Sequence, residues 1–336
     1  MNYFRILVLL AALVSSGAAT FRDSFELGDN TATVNGFRQW RSFNEGIAQW
    51  NTNSGRLDVT WDSRKSNSFY YYPLPVAMTR SNSFAFELTL RLSDLQIGID
   101  PSKNSTFEIC IGFLNLAEAT RTNYFRGSGV NSIYGARSVI EFTYFPDDGF
   151  GATVGTIIAS TNNQIAYSHT FPVELALETA YHIRVAFDAA TQSLTTAIDV
   201  NGAPYGEPPE NTIRTLRYPA EYGDFRVDAF SIHSYSDAGQ IPPQFAGSIF
   251  AHGTIDDVSI TYVDEPIDRI EKWGLDSGFW SRIKSYAGWN YRIERTIDFA
   301  NWETVETIAG TGGEIESRDL APPPTAAFYR WVATPP

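Results

Sequence analysis

"YHIRVAFDAATQSLTTAIDVNGAPYG", residues 181–206, is the stretch on which the reading of the chain turns. Tyr181, Ile183, Val185 and Phe187 alternate with His182, Arg184 and Ala186. After the break "DAATQS", Leu194, Thr196, Ile198 and Val200 resume the same period. Side chains on a strand alternate between faces, so each run has one apolar face and reads as a half-buried antiparallel strand. Asn201-Gly202 then supplies two residues that tolerate positive φ, as a two-residue hairpin turn requires.

The same period of two extends in both directions. "SFAFELTLRL" (83–92) sets Phe84, Phe86, Leu88, Leu90 and Leu92 against Ala85, Glu87, Thr89 and Arg91. "TFEICIGF" (106–113) alternates Phe107, Ile109, Ile111 and Phe113. In "GTIDDVSITYV" (253–263), alternation puts Asp256 on the face of Val258, Ile260 and Tyr262, with Asp257 facing away. Helical periodicity is nearly missing. Many strands separated by turn signals predict an all-β fold, an antiparallel β-sandwich jelly roll. The Pro-rich segments 203–224 and "AGQIPPQFAG" (238–247) read as loops.

Composition bounds the function. The chain has 336 residues, 43% of them hydrophobic, enough for a large core. A formal charge of -13 speaks against nucleic acid and against anionic membranes, both of which demand clustered Lys and Arg. Arg5, the apolar run 6–14 and "SSGAAT" form a signal-peptide pattern over residues 1–19, with cleavage expected after Ala18 or Ala19. The mature chain would then carry no transmembrane segment and be secreted, periplasmic or displayed on the cell surface. The single cysteine, Cys110, permits no internal disulfide and is expected to be a small buried hydrophobe.

The pattern breaks after Val263. We read 20–264 as the jelly-roll domain and 265–285 as a linker in which Ile267, Ile270 and Trp273 form one face of a short helix or simply pack. Residues 286–336 read as a small C-terminal β-module built from "YRIERTI", "WETVETIAG", "GEIESRDL" and "AFYRWVA".

Taken in order, these motifs resemble the concanavalin A-like lectin/glucanase and laminin-G superfamily. The 181–206 stretch is similar to its central hairpin and "GTIDDVSITYV" to its closing strand. "FRDSFE" (21–26), Trp50 and "SGRLDV" (54–59) are similar to its first strands. The resemblance implies a many-stranded jelly roll. It implies no one function, because the superfamily holds lectins, glycosidases, lyases and adhesive modules. The tail, through "YRIERTIDFANWETV" and "FYRW", is similar to small β-modules that end secreted bacterial proteins.

Against that background, "EFTYFPDDGF" (141–150) is the first candidate site. Glycosidases of this superfamily place carboxylates at i, i+2 and i+4 or i+5 of one strand, because nucleophile and acid/base must stand about 5 Å apart for retention. Here Thr143 and Phe145 occupy two of those places and only Glu141 is acidic. In legume-type lectins a "V-E-F-D" strand leads into a calcium loop. Glu141 matches the glutamate and Asp147 the asparagine position of that loop, while Thr143 replaces the bridging aspartate. Glu141 with Asp147 or Asp148 is the candidate calcium site, against the alternative that Asp147-Asp148-Gly149 is a turn. The histidines His169, His182, His233 and His252 show no metal-ligand spacing.

Aromatic rings stack on the apolar faces of sugars, which makes Tyr71, Tyr144 and Trp50 the candidate ligand-binding residues. The predicted function is an exported, non-catalytic carbohydrate-binding or surface-interaction protein whose partner is a polysaccharide or glycan. One alternative is a glycoside hydrolase or polysaccharide lyase using Glu87, Glu108 and Glu141 from three strands. The other is a purely structural envelope or matrix protein.

Overall fold

The computed structural model describes residues 18–26, 33–34, 37–38, 40–44, 48–51, 54–98, 109–124, 126, 136–147, 151–206, 212–214, 223–236, 249–263, 270–285, 290–311, 313–324 and 326–334. They fall in a large unit, Thr20–Tyr262, and a small one that comprises Val263–Pro336 together with Ala18 and Ala19.

The strands of the large unit are β1 (Ala18–Asp23), β2 (Thr33–Val34), β3 (Phe37–Arg38), β4 (Arg41–Phe43), β5 (Ala48–Asn51), β6 (Arg56–Asp62), β7 (Ser68–Met78), β8 (Phe84–Ile97) and β9 (Ile109–Leu114). A one-turn helix α1 (Leu116–Ala119) follows, capped by the Asn115 side chain. Then come β10 (Val139–Phe145), β11 (Thr153–Ala159), β12 (Ile165–Thr170), β13 (Ala180–Asp188), β14 (Ser193–Val200), β15 (Ala203–Pro204), β16 (Thr212–Arg214), β17 (Val227–Ser234) and β18 (Ile249–Val263). Two sheets result. One runs β15-β14-β13-β8-β18-β6-β5, with β1 on β18 and β16 on β14; the other runs β12-β11-β10-β9-β17-β7-β4.

The register explains the alternation. Phe84, Phe86, Leu88 and Leu90 lie opposite Phe187, Val185, Ile183 and Tyr181, and all are buried. Their rings meet those of the second sheet, with Phe86 and Phe230 centroids 5.1 Å apart and Phe84 and Phe113 also 5.1 Å apart. Each such ring contributes about 1.5–3 kcal/mol through burial. The fold is thus an antiparallel β-sandwich jelly roll closed by two facing apolar sheets. The Asn201-Gly202 turn has φ of 52° and 76°, as the hairpin requires.

Asp256 departs from its expected face. Asp257 adopts φ 50° and the β18–β8 register slips between Asp256 and Ser259. That bulge inserts a residue and resets the parity. Ile255 and Val258 are both inward and buried, while Asp256 pairs across from Thr89 on the outer face and lies 3.5 Å from Arg56.

In the small unit, β19 (Ile270–Leu275), β20 (Phe279–Lys284) and β23 (Glu314–Asp319) form one three-stranded sheet. The other contains β22 (Glu303–Ala309), β21 (Asn290–Thr296) and β24 (Phe328–Thr334). Residues 270–284 therefore pair as a hairpin instead of forming a helix or unpaired linker. Phe279, Ser281 and Ile283 alternate inward, and Phe279 and Ile283 join Tyr291, Ile293, Tyr329 and Trp331 in one core. Gly278 makes the turn possible, since a Cβ there would stand 2.1 Å from the Asp319 carbonyl oxygen. Among the described residues no helix is long and apolar enough to cross a membrane.

Candidate functional site

Residues directly opposite in an antiparallel pair share a face. The outer face of the seven-stranded sheet can therefore be read row by row. One row holds Tyr167, Ile157, Glu141, Gly112, Ser231, Tyr71 and Arg41; the next holds His169, Gly155, Thr143, Cys110, His233, Phe69 and Phe43. Glu141 is the one carboxylate among the described register positions of this face.

Glu141 is fully buried and its oxygens are taken by the protein. Arg126 Nε donates to Oε1 at 2.6 Å; the Tyr235 hydroxyl donates to Oε2 at 3.0 Å; His233 Nδ1 lies 2.9 Å from Oε2. Burial alone would push this carboxyl up. The Arg126 charge, with the hydrogen bond and charge of His233, overcomes burial and holds it down to about 2. Tyr235 and Tyr124, both buried beside the carboxylate, are pushed up by burial and then by the Glu141 charge. Gly112 makes room for the group, because a Cβ there would stand 2.2 Å from the Ile140 carbonyl oxygen and 2.6 Å from Glu141 Cα. His233 Nε2, on the other side of the ring, has no hydrogen-bond partner among the described residues.

This geometry does not fit a calcium ion. A cation bound to Glu141 would have to displace the Arg126 guanidinium and two further donors, and Thr143 supplies no carboxylate. Asp147 is exposed, and its Oδ1 accepts the Gly151 N–H at 2.8 Å, the bond of a turn. Asp148 lies outside the described residues. Among the described residues no group of three His, Cys, Asp or Glu could hold a metal ion.

The sequence-predicted rings also do not converge. Tyr144 faces the core, 1% exposed; its Oη accepts the Leu175 N–H, and burial pushes its hydroxyl up to about 12. Tyr71 lies on the outer face yet is only 9% exposed. Trp50 sits in β5 opposite Leu57, and its side chain lies outside the described residues. The candidate acids separate as well. Glu87 lies on the outer face of the nine-stranded sheet, 3.0 Å from Arg184, whereas Glu141 lies on the outer face of the opposite sheet. The full thickness of the sandwich keeps them apart. Glu108 is outside the described residues.

What sequence reasoning passed over is the edge strand β12. In "IAYSHTF" (165–171), Tyr167 and His169 share the outer face, and Phe171 follows just past the end of the strand. Tyr167 is 51% exposed and Phe171 60%. Two glycines lie beneath this stripe. A Cβ on Gly155 would stand 2.3 Å from the His169 ring, and one on Gly151 2.4 Å from the Phe171 ring. The rings therefore lie directly on backbone. Phe145 meets His169 edge-on at 5.5 Å, and Tyr167 lies 5.4 Å from it. Burial, and then the charge of Arg126, lowers His169 to about 4, so the ring is neutral at ordinary pH. The signal was present in the sequence: aromatics at i, i+2 and i+4 with small residues between them.

No protein-family model matches the chain, and no curated protein matches it. In fold it is similar to the Lotus tetragonolobus seed lectin (TM-score 0.44, 14% identity, 74% of this chain and 100% of that one). It is also similar to the peanut lectin solved with a nonapeptide (TM-score 0.42, 10% identity, 74% and 100%). The Emp47p carbohydrate recognition domain is a third such structure (TM-score 0.40, 13% identity, 71% and 94%).

Proposed function

We propose that this chain is an exported, non-catalytic carbohydrate-binding protein acting at a cell surface or in its surroundings. The observation that carries the reading is the glycine-backed stripe Tyr167–His169–Phe171. The large rings of Tyr167 and Phe171, open to water on either side of His169, are costly to leave bare. They suit the C–H faces of sugars, while hydroxyl and imidazole groups serve the sugar hydroxyls. The state of Glu141 supports the non-catalytic part. A carboxylate saturated by three donors and ionised at ordinary pH holds no proton to give a leaving group. The signal-peptide pattern of residues 1–19 supports export, and the charge of -13 weighs against nucleic acid as partner.

A competing reading is an enzyme in which Glu141 orients His233 and its Nε2 acts as base. One experiment separates the two: a glycan and polysaccharide binding screen on the full chain, with calcium and again with EDTA, assaying soluble products in the same wells. Binding that survives EDTA and releases no product is expected. Products at ordinary enzyme rates would sink the non-catalytic reading.

A further inference from the structure

Resting on that reading, we infer that the ligand of the β12 stripe is an extended, uncharged polysaccharide chain bound lengthwise, not a terminal monosaccharide and not a polyuronate. Three observations lead there. The rings are arranged in a line. Residues i and i+2 of a strand are separated by about 6.7 Å; Tyr167 and His169 keep that spacing in β12, and Phe171, just past its end, rests over Gly151 as His169 does over Gly155. A single sugar covers one of these rings, whereas a chain spans all three.

The rings are also backed, not pocketed. Gly155 and Gly151 let His169 and Phe171 rest on the backbone of the neighbouring segment. The Thr143 hydroxyl and the Phe145 ring border His169, which leaves the two ends of the stripe, Tyr167 and Phe171, as the open places. A flat strip of this kind selects for a ribbon that stays straight over several units.

Charge supplies the third argument. The exposed charges around the stripe in the described structure include Asp147, whose side chain bonds Gly151 under the Phe171 ring, Glu174 just beyond Phe171, and Arg214 on β16, which packs against β12. Arg126 is 1% exposed and bound to Glu141, so it offers nothing to an anionic ligand, and His169 is neutral. A polyuronate would meet two acids against the one cation Arg214, on a chain whose formal charge is -13.

The test uses the full chain and three probe series, titrated by calorimetry: cello- and manno-oligosaccharides of one to six units, and oligogalacturonates of the same lengths. The variants are Tyr167→Ala, Phe171→Ala and Leu177→Ala, the last equally accessible but away from the stripe. We expect affinity for a neutral series to rise at least tenfold from one or two units to six. Tyr167→Ala and Phe171→Ala should each lose at least tenfold, with Leu177→Ala unchanged and thermal melting preserved in all three. Affinity that is independent of length, higher for galacturonates, or untouched by both aromatic variants would overturn this inference while leaving carbohydrate binding intact. Folded wild-type protein that binds no glycan in the wider screen would overturn both.

Discussion

Arg126 Nε stands 2.6 Å from Glu141 Oε1, with the two side chains 1% and 0% exposed. A charge pair this deep is held by mutual attraction against a desolvation cost of several kcal/mol per ion. The surrounding groups make it tolerable: His233 and Tyr235 occupy the other oxygen, and the Arg126 guanidinium lies 5.8 Å from the Tyr235 ring centre.

Breaking one side of that pair should cost more than removing both. Arg126→Leu leaves Glu141 as an uncompensated buried charge, for a loss of roughly 3–5 kcal/mol. Arg126→Leu combined with Glu141→Leu should be distinctly less destabilised than the sum of the single changes. Denaturant unfolding of the two single variants and the double variant measures this. Strict additivity would mean that the two groups are not coupled.

Acid should release the same pair. Glu141 is at about 2 in the folded protein against 4.5 unfolded. A depressed folded value means that the unfolded chain takes up the proton first. The stabilisation is complete above about pH 4.5 and is lost as pH falls toward 2, to a total of roughly 3 kcal/mol. Glu141→Gln should flatten this part of the stability-versus-pH curve. An unchanged slope in that variant would place the acid sensitivity elsewhere.

His169 should titrate far below an ordinary histidine. Its value near 4 means that the unfolded state binds the proton first as pH drops below 6.5, so stability declines between about pH 6.5 and 4. NMR titration of the imidazole gives the number directly. A midpoint near 6.5 would show that the ring is neither buried nor under the influence of Arg126.

Gly112→Ala tests how tightly the site is built. The added methyl would meet the Ile140 carbonyl and Glu141 backbone, neither of which can swing aside. Overpacking of this kind costs about 1–3 kcal/mol. Here it should also displace Glu141 from Arg126, so the Glu141 titration should move up together with the loss in stability.

In the small unit, the Tyr329 hydroxyl donates to Asp319 Oδ2 at 2.8 Å, and Arg295 donates to the same oxygen at 2.8 Å. Tyr329→Phe removes one of these donors and should cost about 1 kcal/mol. Hydrogen exchange of the β21 and β24 amides reports the change, which should leave the amides of the large unit unaltered.

The sequence by itself determined the strands and the sandwich. The apolar faces of 84–92 and 181–200 are written as strict alternation, and burial of apolar surface leaves such segments one arrangement, face against face. It also contained the β12 stripe, as "IAYSHTF", although aromatics are common enough in strands that nothing local separates an exposed ring from a buried one. Tertiary structure decided the rest. Whether Tyr71 and Tyr167, both on the outer face, are covered or open depends on which segment crosses over them. Arg126 and Glu141 are 15 residues apart in sequence, in a stretch whose spacing shows no pattern. His233 and Tyr235 reach the same carboxylate from β17 and its end, more than 90 residues on. The bulge at Asp257 reversed the parity of Asp256 because one residue in a left-handed conformation shifts the side chains just before it to the other face. Alternation is a local property that a sequence can carry, whereas cover and charge pairing arise only when distant segments meet.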